Sequence, residues 1–326
     1  MDSSIPDNRV DEWAPGLGNF GYFARMEMNP LNPAPITAVC FDPFEELLWC
    51  GNYNGRVTSF YSNTFDRYTA FCAVGGDIRA LEATENALIV LSANNLKANT
   101  RHGLHSFQFS SPSMVNMCAL HRLPGTPSLI MGGEQNKLIQ FDIEKQRETR
   151  LSTLKQKDAT LIRSNGNNVF TADTEGKITV RLMSSLEALN IIPAHGGPIT
   201  DFDVYGNKLI TCGCSLRLNA LHGDPYVKIY DLRTCRALPP LPLSFAPVFT
   251  RFIPTFCDSR IVIVSQMGQT QMTDLNERGV GVPMIIESDG YNLSAFHHSS
   301  TKHLMAFGDE IGIFIINVKE FYFYIF

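Results

Sequence analysis

Short runs of alternating hydrophobic and polar residues recur along the chain, separated by turn residues. One unit covers 36–61 and reads ITAVCFDPFEELLWCGNYNGRVTSFY, with turns at Asp42-Pro43 and Asn54-Gly55. Alternation with a period of two indicates strands buried on one face, and Asn-Gly supplies the positive φ angles that a tight hairpin requires. The unit therefore predicts three antiparallel strands, followed by a fourth at 65–71.

The same order of strands and turns returns through the rest of the chain. The first strands of the units begin near Ile36, Ile78, Val115, Leu161, Ile199, Phe249 and Leu293. These starts span 257 residues (293 minus 36), or about 43 residues for each of six intervals. A period of about 40–45 residues with four strands per unit is typical of WD-type β-propellers. The predicted fold class is all-β, a seven-bladed WD-type β-propeller over residues 36–318.

The segment DPYVKIYDLR at 224–233 is predicted to contain the third strand of the fifth blade. Its Tyr230-Asp231 pair stands where WD repeats carry Trp-Asp, and Ala194-His195 stands weakly for the Gly-His that opens such a repeat. Asp201 follows His195 in the same unit, so we expect a hydrogen bond between their side chains.

Two flanking segments complete the predicted domain organisation. Residues 1–35 are expected to supply a ring-closing outer strand, with Phe20, Tyr22 and Met26 pairing with the last blade. Residues 319–326 form an apolar tail, and its FYFYIF sequence at 321–326 competes for the same edge. Six apolar residues at an unpaired end would otherwise favour aggregation.

Composition supports a globular protein in a reducing compartment. The 326 residues are 44% hydrophobic and 18% charged, with a net charge of −5, which argues against extensive binding of nucleic acid. Eight cysteines without a CxxC pair indicate free thiols, mostly buried. No signal peptide and no apolar stretch of about 20 residues is present, so a soluble, intracellular protein without a membrane contact is expected.

No catalytic constellation is recognisable. No GxGxxG follows a strand into a helix, and no phosphate-binding GxxxxGK[ST], nucleophile elbow or HExxH is present. His297, His298 and His303 are predicted to lie in an exposed hairpin, where neighbouring strand residues point to opposite faces and the spacing does not suit a metal. The sequence therefore predicts no catalytic residue, no metal site and no cofactor for this chain.

The segment GCSLRLNALHGDP at 213–225 is predicted to be the longest loop, inserted in the fifth blade. A long loop on a rigid scaffold is often a binding element, although a tolerated surface insertion is the alternative. Its candidate partner-binding residues are Arg217, Asn219, His222 and Tyr226. The proline-rich 236–248 that follows is predicted to cross between blades because proline removes backbone donors.

The segments 36–61, 194–256 and 293–309 resemble one family, the N-terminal WD-repeat domain of the catalytic subunit of the poly(A)-nuclease (PAN) deadenylation complex. The resemblance covers about 36–309. In that family the propeller precedes a linker, an inactive ubiquitin-hydrolase-like domain and a DEDD-type exonuclease that uses two divalent metals, such as Mg²⁺. None of its catalytic carboxylates has a counterpart here.

The resemblance implies a non-catalytic propeller that binds protein or ribonucleoprotein and supports shortening of mRNA poly(A) tails. Its implied partners are the regulatory pseudokinase subunit and the poly(A) ribonucleoprotein, with indirect or weak RNA contact, in the cytoplasm and in P-bodies. The alternative is a WD-repeat scaffold of an unrelated complex, such as a ubiquitin-ligase adaptor or a vesicle coat. The tail IFIINVKEFYFYIF departs from the family and predicts a fragment or a mispredicted gene product.

Overall fold

The computed structural model describes residues 23–27, 34–254, 257–276, 281–299 and 303–317. Within these ranges every regular element is a β-strand, and the strands form seven antiparallel sheets. The first of the described strands is β1 (Phe23–Glu27). The following strands build one sheet after another, and each sheet is one blade of a propeller.

Blades 1 to 4 each contain four strands in sequence order. Blade 1 has β2 (Ile36–Phe41), β3 (Leu47–Asn52), β4 (Arg56–Tyr61) and β5 (Arg67–Cys72). Blade 2 has β6 (Ala80–Ala83), β7 (Leu88–Leu91), β8 (Leu96–Asn99) and β9 (His105–Phe109). Blade 3 has β10 (Met117–Arg122), β11 (Ser128–Gly133), β12 (Lys137–Asp142) and β13 (Arg147–Thr153). Blade 4 has β14 (Leu161–Asn165), β15 (Asn168–Ala172), β16 (Lys177–Leu182) and β17 (Ala188–Pro193).

The remaining blades carry two additions to this plan. Blade 5 has β18 (Ile199–Tyr205), β19 (Lys208–Arg217), β21 (Tyr226–Asp231) and β22 (Arg236–Pro242), and an extra strand, β20 (Ala220–Gly223), pairs with β19 alone. Blade 6 has β23 (Pro247–Phe252), β24 (Arg260–Ser265), β25 (Gln269–Asp274) and β26 (Val282–Ile285). Blade 7 has β27 (Ala295–His298), β28 (Leu304–Gly308), β29 (Gly312–Asn317) and, at its outer edge, β1.

The seven blades form a closed ring. The first strand of blade 1 contacts the first strand of blade 7, and the backbone N–H of Ile36 donates to the carbonyl of Asp309 at 2.9 Å. At the outer edge of blade 7, β1 pairs with β29, and Met26 lies opposite Ile313. Phe20, Tyr22 and the tail at 321–326 lie outside the described residues.

Each interface between neighbouring blades encloses its own cluster of buried hydrophobic side chains, and the seven clusters match the seven interfaces. This follows from the period of two, because successive strand residues face opposite neighbours. In β3, Trp49 packs towards blade 2, whereas Leu48 and Cys50 pack towards blade 7. Trp49 therefore packs between blades from a middle strand, and its side chain is fully buried.

Polar groups stabilise the interface between blades 1 and 2. The indole N–H of Trp49 donates to Asp42 Oδ2 at 3.1 Å, and the guanidinium of Arg101 from blade 2 donates to both oxygens of the same carboxylate at 2.9 and 3.0 Å. The hydrogen bonds from Arg101 and Trp49 hold the pKa of Asp42 below its usual value against the opposing effect of burial. The carboxylate therefore stays ionised and joins blade 1 to blade 2.

Two predictions made from the sequence need correction here. The proline-rich segment was expected to cross between blades, but its first part is β22, the exposed outer strand of blade 5. Proline is tolerated there because an edge strand uses only one side for hydrogen bonds. All eight cysteines are free thiols, as predicted, but only Cys40, Cys50 and Cys212 are buried, and Cys72 is exposed.

The direction of the strands gives the ring two distinct ends. Because successive strands are antiparallel, the turns between second and third strands lie at the same end as the crossings from one blade to the next. We name this end the upper face. The turns between first and second strands, and between third and fourth strands, form the lower face.

Candidate partner-binding surface

A β-hairpin projects from the upper face of blade 5. The segment predicted as a long loop is in fact strand, because β19 continues to Arg217 and β20 returns from Ala220 to Gly223. We name Cys214–Gly223 the hairpin arm. Its tip is Leu218-Asn219, with φ angles of 50° and 63°. Positive φ at both central residues is the geometry of a type I′ turn, whose twist matches that of the flanking strands.

The arm carries exposed leucines. Leu216 and Leu221 are cross-strand partners on one face of the hairpin and are 59% and 58% exposed. Leu218 at the tip is fully exposed at 101%. Leucine is an uncommon residue at positive φ, so nothing local favours it at this tip. Exposed apolar side chains concentrated on one projecting element are a frequent mark of a protein interaction site.

The root of the arm is held by a buried carboxylate. Asp224 is 1% exposed and accepts hydrogen bonds at Oδ2 from the hydroxyl of Ser215 and from Nδ1 of His195, both at 2.8 Å. The backbone N–H of Asp224 donates to the carbonyl of Gly213 at 2.9 Å. These bonds connect both strands of the arm to the crossing between blades 4 and 5, so its base is fixed while its tip is free.

The expected hydrogen bond between His195 and Asp201 is therefore wrong. His195 bonds to Asp224, whereas Asp201 accepts the backbone N–H of Thr250 in blade 6. Burial lowers the pKa of His195, so its imidazole is neutral and its Nδ1–H donates to the carboxylate. The insertion of the arm had separated Asp224 from the preceding strand in the sequence and hidden this pairing.

Serine, histidine and aspartate at this root do not form a hydrolytic triad. In such a triad histidine stands between serine and aspartate, because it must remove the proton from the hydroxyl. Here Asp224 stands between Ser215 and His195, and both donate to the same oxygen. The three side chains therefore position the arm and do not activate a nucleophile.

The four residues singled out from the sequence lie around this arm. Arg217 is largely exposed, with Nη2 at 3.7 Å from Asp224 Oδ1. Tyr226 is half-buried at the root and stacks on the His195 ring at a centroid distance of 6.4 Å. Asn219 lies at the tip and His222 lies opposite Ser215, and both are exposed. The structure thus brings Arg217 and Tyr226 together at Asp224 and leaves Asn219 and His222 facing solvent.

A second polar assembly, missed in the sequence, lines the centre of the ring. The pairing registers of the first and second strands place one residue of each blade at an equivalent position. These residues, which we name the channel ring, are Cys40, Glu82, His121, Arg163, Asp203, Arg251 and His297. Most of them are ionisable, although the first strands are otherwise rich in apolar residues.

Hydrogen bonds join the channel ring across blades. Asp201 lies two residues before Asp203 on β18, nearer the upper face. It accepts hydrogen bonds from Arg163 of blade 4 at 3.4 Å and from Arg251 of blade 6. Asp203 accepts the backbone N–H of Phe252 at 2.8 Å. Because Asp201 and Asp203 of blade 5 both bond to an adjacent blade, these groups connect blades that the apolar clusters already pack together.

His297 and His298 of the last blade lie on the innermost strand, at this central wall. They were predicted to lie in an exposed hairpin, but His297 and His298 are half-buried on β27, the innermost strand. Burial lowers the pKa of His297 to about 3 and that of His298 to about 4, so both are neutral near pH 7. Among the described residues no group of three or more His, Cys, Asp or Glu side chains is placed to hold a metal ion.

Comparison with known proteins identifies the family. A family model described as PAN2 N-terminal matches residues 30–317. The chain belongs to the PAN2 N-terminal family. It is 38% identical over 329 residues to the PolyA-specific ribonuclease subunit panl-2 of Caenorhabditis elegans, which covers 95% of this chain and 28% of that protein.

Other members of the PAN2 family align in the same way. The human PAN2-PAN3 deadenylation complex catalytic subunit PAN2 is 36% identical over 282 residues, covering 85% of this chain and 23% of that protein. The chain thus spans about a quarter of the length of these relatives. The structure of the Neurospora crassa Pan2 WD40 domain matches with a TM-score of 0.82 at 23% identity, over 90% of this chain and 94% of that one.

The PAN2 match and the structural match agree with the seven-bladed propeller predicted from the repeat. What the chain matches in these relatives is their N-terminal propeller region. No helix in the described part of the chain has the length and apolar character needed to cross a membrane.

Proposed function

We propose that the chain is the non-catalytic, partner-binding propeller of a poly(A)-specific deadenylase complex, and that the hairpin arm on its upper face contacts the partner. The shape and composition of the hairpin arm support the proposal that the arm contacts the partner. It presents Leu216, Leu218 and Leu221 to solvent from a base fixed by the buried Asp224.

An anchored arm suits recognition for a physical reason. Ordering a loop on binding costs free energy, and an element that is already in its bound shape avoids that cost. Apolar side chains that become buried by the partner contribute about 25 cal/mol for each Å² removed from water. Arg217 lies beside these leucines and adds a residue type that is enriched at interface hot spots.

The names of the relatives describe a PAN2-PAN3 deadenylation complex, which supports a protein subunit as the partner. We propose the regulatory subunit of that complex, a pseudokinase, and poly(A) coated with its binding protein as the two partners. With a net charge of −5, bare RNA should bind this chain weakly and with a strong dependence on salt. The cytoplasm, including P-bodies, is the proposed location.

The test compares two substitutions of exposed leucines. Leu218→Ser with Leu221→Ser removes the apolar tip of the arm, and Leu104→Ser is the control because Leu104 is 69% exposed in a lower-face turn of blade 2. Immobilised wild type and variants are incubated with the purified regulatory subunit, or with poly(A) coated with its binding protein. Thermal melting is recorded for every variant.

We expect reduced capture by the arm variant, unchanged capture by Leu104→Ser, and unchanged melting for both, because none of these leucines is buried. Equal capture by the arm variant and wild type would assign the arm to a tolerated insertion. Arg217→Ala, tested in the same assay, separates the contribution of the charge from that of the leucines.

A further inference from the structure

A basic cleft opens on the upper face between blades 3 and 4, apart from the hairpin arm. Its volume is about 770 Å³. The lysines Lys155, Lys157 and Lys177 line it, together with the single acidic residue Glu175. Lys177 Nζ lies 2.7 Å from Glu175 Oε2, so one lysine is paired and two remain to give the wall a positive charge. This contrasts with the net charge of −5 of the whole chain.

A buried arginine lies behind the cleft. Arg181 is 4% exposed and donates to the hydroxyl of Thr171 at 3.2 Å, the carbonyl of Leu186 at 3.2 Å and the side-chain oxygen of Gln156 at 2.8 Å. All three acceptors are neutral. Burial lowers the pKa of Arg181, and among the described residues no carboxylate pairs with it. The guanidinium is therefore a buried cation without a counter-charge.

Two carboxylates near the cleft are already used elsewhere. Asp158 accepts from the backbone and hydroxyl of Thr174, and Asp173 accepts the backbone N–H groups of Glu175 and Lys177 in the adjacent turn. A buried charge without a counter-ion is costly in a folded protein. Gln156 lines the cleft and bonds directly to Arg181, so an anionic ligand in the cleft would lie within one side chain of that uncompensated charge.

We propose that this cleft binds an acidic peptide segment of a partner protein, whose carboxylates pair with Lys155 and Lys157 and lie over Gln156 and Arg181. Its wall also carries Ile191, which is 45% exposed on the outer strand of blade 4 and offers a contact for an aliphatic side chain. Single-stranded RNA is a poorer fit, because no aromatic side chain among the described lining residues is available to stack on a base.

The proposal is tested by fluorescence anisotropy with a fluorescein-labelled peptide of alternating glutamate and leucine. The variant Lys155→Glu with Lys157→Glu reverses the charge of the cleft. Its control is Lys145→Glu with Arg147→Glu, which makes the same charge change at exposed positions on the lower face of the same blade. We expect a Kd at least about tenfold weaker for the cleft variant, equivalent to about 1.4 kcal/mol, and little change for the control.

Equal weakening by both variants would show only a general effect of net charge and would overturn the proposal. An oligo(A) probe is titrated alongside, and preferential loss of oligo(A) binding in the cleft variant would assign the cleft to RNA instead. Arg181→Met provides a separate check. If the guanidinium acts on the ligand through Gln156, this variant raises the Kd of the peptide about threefold or more. Circular dichroism verifies that the variant is folded. Unchanged peptide binding would show that Arg181 does not contribute to the site. Neither result depends on the hairpin arm.

Discussion

Replacing Asp224 by alanine should destabilise the propeller, because its carboxylate is the shared acceptor at the root of the hairpin arm. The substitution leaves the hydroxyl of Ser215 and the buried Nδ1–H of His195 without the oxygen to which both donate at 2.8 Å. His195 cannot turn to water, since its side chain is fully buried. The loss therefore includes the uncompensated desolvation of the His195 donor as well as the two bonds.

The magnitude follows from the type of bond. Each hydrogen bond to a charged group contributes about 1.5–3 kcal/mol, and removal of one member of a buried charged network costs about 3–5 kcal/mol. We expect Asp224→Ala to lower the free energy of unfolding by about 3–5 kcal/mol. Asp224→Asn keeps the volume and one acceptor, so its loss should be about half as large. The control Asp231→Ala, in the same blade, removes hydrogen bonds from the backbone N–H and the exposed guanidinium of Arg233, so it should destabilise the protein much less than Asp224→Ala.

Urea denaturation followed by tryptophan fluorescence measures these differences, with the buried Trp49 as a probe. Limited trypsin digestion adds a local readout at the exposed Arg217, where a loosened arm should be cut faster. If Asp224→Ala and Asp231→Ala shift the denaturation midpoint equally, and trypsin cuts both as slowly as wild type, then the carboxylate does not hold the arm and the reasoning fails.

Two further predictions concern pH and activity. Burial raises the pKa of Glu82 to about 7. Between about pH 4.5 and 7 the carboxyl group is therefore protonated more in the folded protein than in the unfolded chain. The free energy of unfolding falls as pH rises through that window, because the buried group must become charged. Glu82→Gln should therefore gain stability relative to wild type between pH 5 and pH 8 in melting experiments, by up to about 1.4 kcal/mol per pH unit, and a pH-independent difference would contradict this. The purified chain should release no AMP from oligo(A) with or without Mg²⁺, because two-metal cleavage needs a set of carboxylates and the described residues contain no group placed to hold a metal ion; metal-dependent release that survives repurification would contradict that.

The blades could be predicted from the sequence because their signal is periodic. Alternation and turn residues recur about every 43 residues, and tertiary packing strengthens that pattern, since each strand residue faces one neighbour or the other. The hairpin arm was missed although Leu216, Leu218 and Leu221 repeat at short spacing. Its turn is Leu218-Asn219, which lacks the glycine that normally marks a type I′ turn.

The channel ring could not be predicted for a different reason. Arg163, Asp201 and Arg251 are far apart in the sequence and meet only when blades 4, 5 and 6 pack together. Bulges in the first strands also shift the alternation by one residue, for example between Ile199 and Asp201. A bulge changes which face of the sheet the following side chains occupy. Assigning alternate residues to alternate faces from the sequence alone therefore gives the wrong neighbours.

The pairing of β1 with β29 sets a minimum time for completing the molecule on the ribosome. Phe23 pairs with Ile316, which is 293 residues later (316 minus 23). At about 5–20 residues per second, roughly 15–60 seconds pass between the synthesis of β1 and the synthesis of its partner β29. During that interval the earlier blades can fold in turn, but the ring cannot be sealed. Factors that shield unpaired strand edges during synthesis should therefore raise the yield of this propeller more than factors that act after release.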